Sequence, residues 1–282
     1  MVPGELIASR VSASGAITDF HSHLVPGVDD GAQEPADSAA ALERFRAEGA
    51  RQIITTPHFM GSLTHDKQQC DARLAEIDAG WELLQGVVAS DAAKHGTAIR
   101  IERGVEIMLD VPDPDLSDDR LRLAGGKFAL VEYPMLRLPP VNAEFALIAL
   151  HERGWIPVVA HPERYRNLDP SLVELARFRR AGAFLQMNAG SLFGDYGKTA
   201  AGHARRMLMA GEADYVASDY HARGEPGMLR FVQAMEHAGF SEQAELLTST
   251  NPARLLHGEP PLRVPPIDTK KENRSVWERL FG

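Results

Sequence analysis

Seven short apolar runs in this chain each end, on the C-terminal side, in residues that ligate metals or polarise substrates. Ala16-Ile17-Thr18-Asp19-Phe20 leads into His21-Ser22-His23, and the run from Arg51 to Thr56 leads into Pro57-His58. Ile99 to Val105 stops at Glu106, Lys127 to Val131 at Glu132, and Trp155 to Ala160 at His161. Ala183 to Met187 stops at Asn188, and Ala213 to Ser218 at Asp219-Tyr220-His221. Strands of a parallel barrel bring their C-terminal ends to one rim, the face on which barrel enzymes carry their chemistry. That rim would gather five histidines, two glutamates and an aspartate, the ligand types of a polynuclear metal site.

The stretches between the runs have helical periodicity. Helices are expected over Asp37 to Glu48, Asp66 to His95 with glycines at 80 and 86, and Asn142 to Arg153. Others are expected over Ser171 to Arg180, Thr199 to Ala210 and Met228 to Ala238, most of them closed by a glycine. Strands alternating with helices of this length make βα units around a parallel sheet. The expectation is one α/β domain, a seven-stranded (βα) barrel over residues 16–258.

Composition bounds the function. A length of 282 residues with 44% apolar content suits one barrel. A formal charge of −9 argues against nucleic acid as the main partner, because phosphate backbones call for a basic face. No run approaches the ~18 apolar residues of a membrane span. Met1 to Glu5 lacks the features of a secretory signal, and one cysteine cannot form a disulfide within the chain, so a cytoplasmic location is expected. Residues 1–15 read as a disordered or loosely packed extension. Residues 259–282 read as a Pro-rich tail whose last part, from Lys270, is a helix folded back on the barrel or a docking peptide.

His21 and His23 are two apart on a strand and so point to one side, where both imidazoles reach one ion. Asp219 and His221 repeat that spacing on the last run, and Asp29-Asp30-Gly31 places carboxylates in the loop after the first. The stretch from His21 to Ala32 resembles the opening motif of the PHP-superfamily tyrosine phosphatases of the CpsB/YwqE family, manganese-dependent enzymes of capsule and exopolysaccharide loci. Further blocks agree in order: Thr55-Thr56-Pro57-His58, Gly104-Val105-Glu106-Ile107, His161-Pro162-Glu163-Arg164-Tyr165 and Ala217-Ser218-Asp219-Tyr220-His221.

The resemblance implies a distorted, TIM-barrel-like PHP barrel holding three divalent ions, Mn²⁺ first, with Fe or Zn as alternatives. It places His21, His23, Glu106 and Asp219 on the first ion, with Glu106 bridging to a second held by His58 and His161. Asp30, with Asp29 as an adjacent competitor, would join His221 and the neighbourhood of His58 around the third. It further implies hydrolysis of phosphotyrosine by metal-bridged hydroxide attack, on a protein such as a polysaccharide-locus tyrosine kinase.

Charge on a transferred phosphoryl group calls for a planar bidentate cation. Arg164, three residues after His161, is placed for that role and matches the family's phosphate-binding arginine. Arg223 is expected as a second phosphate ligand, although it stands nearer the last histidine than the family's second arginine. Asp30 or a metal-bound water is the candidate proton donor to the leaving phenolate, and Tyr165 and Phe193 are expected as walls for a tyrosine ring. Cysteine-phosphatase chemistry is excluded, because the residue six after Cys70 is Glu76 and not arginine. A small-molecule phosphomonoesterase on the same scaffold is the alternative activity, and a catalytically silent binding module is the reading from another class.

Overall fold

Pro57 and the Gly104-Val105 pair decide how the apolar runs become strands. The computed structural model describes residues 16–139 and 142–267; the expected N-terminal extension and the tail from residue 268 lie outside the described residues. Proline has no amide hydrogen for a ladder, so the second run divides around Pro57 into β2 (Ala50–Thr55) and β3 (His58–Met60). Gly104-Val105 divides the third into β4 (Arg100–Arg103) and β5 (Glu106–Met108). The other runs each form one strand: β1 (Ile17–Asp19), β6 (Phe128–Glu132), β7 (Ile156–Ala160), β8 (Phe184–Asn188) and β9 (Tyr215–Ala217).

The expected single barrel of seven strands is therefore corrected: the described residues form nine strands in two parallel sheets, ordered β1-β2-β4 and β3-β5-β6-β7-β8-β9. The sheets meet at a seam where Ser22 bridges Tyr220 in parallel. There the Asp219 amide donates to the His21 carbonyl and the His23 amide to the Tyr220 carbonyl, both at 2.8 Å. β4 and β6 are not paired. Leu123, from a short 3₁₀ turn, packs against Gly104, where an added Cβ would lie 3.1 Å from the leucine side chain.

The helices fall close to their expected positions: α1 (Pro35–Ala47), α2 (Lys67–His95), α3 (Glu144–Glu152), α4 (Val173–Arg180), α5 (Lys198–Ala210) and α6 (Met228–His237). Two short helices, α7 (Ser241–Glu245) and α8 (Asn251–Leu256), follow. α2 runs unbroken through both its glycines, and Gly80 serves packing: an added Cβ would lie 2.7 Å from Val25 Cγ1 and 2.9 Å from Val28 Cγ1. The helix thereby presses on the loop that carries Asp29 and Asp30.

Successive strand residues face opposite sides, and the core follows that alternation. Val131, Val159 and Val216 join the large cluster under the helices. Phe20, Ile54, Leu130, Val158 and Ala217 join a second cluster with Leu123 and Leu255. Residues of β2 and β7, which are not neighbours, can meet only on the concave side of the strands. Two residues further along the same face lie Glu132, after Leu130, and Asp219, after Ala217, so the polar rim stands directly above this apolar floor. Packing also runs past residue 258, because Val264 and Ile267 are buried in the main cluster. The proline-rich segment up to 267 is thus fastened to the domain.

Candidate metal centre

The first loop shows how the rim is built. Gly31 crosses so near His23 that a Cβ there would fall 2.2 Å from the His23 carbonyl oxygen, and only glycine allows that approach. The crossing turns Asp29 inward, where its carboxylate accepts from His23 Nδ1 at 2.7 Å and from the His58 amide at 3.1 Å. Asp30, 65% exposed in its side chain, reaches over the rim, with Oδ1 3.4 Å from His58 Nε2 and 3.3 Å from His221 Nε2. The two adjacent carboxylates therefore differ in work: Asp29 orients a histidine and Asp30 faces the cavity.

Three histidines are held the same way. His21 Nδ1 lies 2.9 Å from Gln186 Oε1, His23 Nδ1 bonds Asp29, and His221 Nδ1 donates to the Asp219 carbonyl at 2.9 Å. Oxygens of this kind accept, which places the proton on Nδ1 and turns the Nε2 lone pair toward the rim, as outer partners of metal-binding imidazoles do. The forward atoms converge on Glu106, which is fully buried. Its Oε2 lies 3.2 Å from His21 Nε2, 3.6 Å from His23 Nε2 and 3.1 Å from His58 Nδ1, and its Oε1 lies 2.9 Å from His161 Nε2. Asp219 Oδ1 lies 3.3 Å from His21 Nε2 and 3.4 Å from His23 Nε2.

Three of these atoms make no hydrogen bond although they are buried: Glu106 Oε2, Asp219 Oδ1 and His58 Nδ1. Buried polar atoms without partners are rare. Here nitrogen and oxygen lone pairs face one another about 3–3.6 Å apart, roughly the spacing of donors each about 2.0–2.2 Å from a shared ion. The residues present fit divalent cations. Three overlapping groups have ligand atoms within 4.8 Å of one another: His21, His23, Glu106 and Asp219; His58, Glu106 and Glu132; His23, Asp30, His58 and His221. A fourth such group, Glu43, Asp91 and His95, lies on α1 and α2 and is already engaged by Arg46 and Lys94.

The structure thus brings together all eight residues expected as ligands, with His161 reaching the rest through Glu106. Glu132 is an addition. It was visible as a polar strand end, and it lies 3.6 Å from His58 Nδ1 and 3.8 Å from His161 Nε2. Burial, together with the charge of Glu106, pushes its carboxyl up to about 8. His161 and Asp219, with φ of 35° and 54°, leave their strands through left-handed backbone. Such strain is costly for residues with a side chain and is typical of functional sites.

Burial alone would lower His21, but the carboxylates of Glu106 and Asp219 outweigh it and raise the imidazole to about 9. In the metal-free protein a proton therefore occupies the place an ion would take. Binding must expel it, so higher pH favours binding. Apparent metal affinity should rise about tenfold per pH unit per displaced proton between about pH 7 and 9, then level off. Titration calorimetry in buffers of different ionisation enthalpy counts the protons; pH-independent affinity would contradict the picture.

Arg164 makes an ion pair with Asp219 Oδ2 and lies over the Tyr196 ring, 4.2 Å from its centroid. It shares the cavity of about 230 Å³ with Asp30, His58, Glu132, His161 and Met135. Glu163, adjacent in sequence, is engaged by Ser191 Oγ and the Asn188 amide instead. Arg223 does not line that cavity; it is exposed and donates to the Asp30 carbonyl at 3.2 Å. In this structure Arg223 therefore braces the Asp30 loop at the edge of the rim. Tyr165 does not line this cavity; it is fully buried, with its hydroxyl accepting from the Tyr133 amide at 3.0 Å. Phe193 is covered by Arg230, 3.8 Å from its centroid. The aromatic beside the site is Tyr196, the ring under Arg164.

Fold and rim together define a parallel α/β protein with a His/carboxylate cluster fit for divalent cations at the C-terminal strand ends. Residues 17–257 match the family described as capsular polysaccharide synthesis, CpsB/CapC, and the chain belongs to it. It is 32% identical over 272 residues to the tyrosine-protein phosphatase YwqE of Bacillus subtilis, covering 94% of this chain and 98% of that one. Tyrosine-protein phosphatase CpsB of Streptococcus agalactiae is 28% identical over 72% of this chain and 82% of its own. A solved structure from work on B. subtilis YwqE and Streptococcus pneumoniae CpsB, described as metal-dependent tyrosine phosphatases, superposes with a TM-score of 0.67. It is 27% identical and covers 90% of this chain and all of that one.

Proposed function

We propose that this chain is a metal-dependent tyrosine-protein phosphatase acting on a phosphotyrosine protein, a tyrosine kinase of capsule or exopolysaccharide synthesis being the substrate that best suits its family. The observation that carries this reading is the cluster of buried, unpartnered lone pairs beside a guanidinium in one open cavity. Three divalent ions, Mn²⁺ first, suit the three overlapping ligand groups. We read the two sheets as a distorted barrel of the PHP type and place the protein in the cytoplasm; no helix among the described residues is long and apolar enough to cross a membrane.

His21, His23, Glu106 and Asp219 would hold one ion, His58, His161, Glu106 and Glu132 a second, and Asp30, His58 and His221 a third. Such ions supply activated water and charge neutralisation for phosphoryl transfer. The protein's own groups do the rest. Arg164 offers a planar fork to the non-bridging oxygens, its face held on Tyr196. Asp30 stands on the exposed lip beside His58 and His221, and the leaving phenolate needs little help from an acid. Met135, 79% exposed at the cavity mouth, offers an apolar contact for an aromatic ring and leaves the entrance open to a peptide.

Cys70 has no part in this. Burial and the nearby Asp118 and Asp71 raise its thiol above the ordinary value, the opposite of an activated thiolate. Cys70→Ser should keep nearly full turnover of a phosphotyrosine peptide, while a chelator should abolish it and Mn²⁺ restore it. The same kinetics with histidinol phosphate and sugar phosphates test the alternative activity: faster turnover of those esters would replace phosphotyrosine as the substrate.

A further inference from the structure

Beyond Arg164 the site continues into a second cavity of about 330 Å³. Leu136 and Arg164 line both spaces, so the two are contiguous. Tyr196, Thr199 and Arg166 are among the other residues that line the second, with the buried Glu163 and Tyr165 beneath them. Arg166 is exposed, and no carboxylate among the described residues lies within ion-pair distance of it, in a chain with 39 acidic and 30 basic residues. Glu163 is at the floor, 1% exposed, with Oε1 accepting from Ser191 Oγ at 2.6 Å and from the Asn188 amide at 3.0 Å. It does not reach the lip where Arg166 stands.

The wall of this cavity is built rigidly. Met135 and Leu136 both have left-handed backbone, with φ of 56° and 52°, a conformation that costs roughly 1–2 kcal/mol per residue. It is held by cross-links to the Arg166 segment: the Arg166 amide donates to the Leu136 carbonyl at 3.0 Å, and Asn167 bonds both the amide and the carbonyl of Leu138. Strain maintained in this way marks a pre-organised surface.

We infer that this second cavity is a specificity subsite that receives an acidic side chain flanking the phosphotyrosine, with its carboxylate on Arg166 and its stem against Leu136 and Tyr196. The inference rests on the phosphatase reading above. The reach is short: consecutive Cα atoms are about 3.8 Å apart and same-face side chains of an extended peptide about 7 Å apart, so a residue within two positions of the phosphotyrosine suffices.

The test uses three phosphotyrosine peptides identical except for aspartate, serine or lysine at the flanking positions, with Mn²⁺-loaded wild type, Arg166→Ala and Arg166→Glu. Each kcat/KM is divided by that of the same variant for p-nitrophenyl phosphate, which removes losses of folding or metal. Wild type should prefer the acidic peptide over the serine peptide by about two- to fivefold, the size of a solvent-screened ion pair. The preference should act through KM and shrink with salt. Arg166→Ala should remove it and Arg166→Glu should reverse it in favour of lysine. Equal normalised values for the three peptides in wild type, or an unchanged preference in Arg166→Glu, overturn the subsite while leaving the phosphatase reading intact. No turnover of any peptide or of p-nitrophenyl phosphate overturns both.

Discussion

Glu106→Gln should leave a folded protein that no longer retains its full complement of metal and that hydrolyses p-nitrophenyl phosphate at least ~100-fold more slowly. Glu106 is fully buried and its two oxygens lie within 3.6 Å of nitrogens of four histidines, His21, His23, His58 and His161. The amide keeps the shape but turns one end into a donor facing imidazole nitrogens, and it removes the negative charge that draws cations to the centre. Loss of a partner outside the ligand shell already costs about 10–100-fold in metal sites, and Glu106 is placed at the centre of this one. Metal analysis and turnover are to be read on the same preparation, with circular dichroism for the fold. A variant with full metal content and wild-type turnover would remove Glu106 from the site.

The second large effect is expected at Arg164. Arg164→Lys keeps the charge and loses the fork and the flat face that lies on Tyr196. A hydrogen bond to a charged group is worth about 1.5–3 kcal/mol, so kcat/KM should fall on the order of ten- to a hundredfold, with weaker inhibition by inorganic phosphate. Metal content should be retained, because Asp219, the present partner of Arg164, loses a competitor and not a ligand. Arg223→Ala should cost less, through a loosened Asp30 loop. Unchanged phosphate inhibition in Arg164→Lys would show that this arginine serves only Asp219, and a larger loss in Arg223→Ala would exchange the two roles.

Most of the centre was legible because strand ends have a fixed direction in a parallel sheet, so His21, His23, Glu106, His161 and Asp219 declare themselves by ending apolar runs. What stayed hidden depends on contacts remote in sequence. Asp29 and Asp30 are adjacent carboxylates in one turn, and the close passage of Gly31 over His23 decides which faces inward. Glu132 ended a run like the others, but its place beside His58 depends on how β5 and β6 are registered. Tyr165 and Tyr196 both lie in rim loops; that the Tyr165 hydroxyl is needed by the Tyr133 amide follows only from the packing. Gly104 lay inside a run that reads as one strand, and the packing of Leu123 against it, beside the unpaired β4 and β6, is announced by no local pattern.

The seam between Ser22 and Tyr220 joins positions about 200 residues apart, which gives the centre a place in time as well as in space. A ribosome adding about 5–20 residues per second needs roughly 10–40 s to pass from one side of that seam to the other. Throughout that interval His21 and His23 have been made, but Asp219 and His221 have not. A chain interrupted before residue 219 therefore lacks Asp219 and His221, one residue from each of two of the three overlapping groups, and lacks the bridge from Tyr220 to Ser22. The cluster is therefore assembled late, only once synthesis has passed residue 221 and the two ends of the sheet can meet.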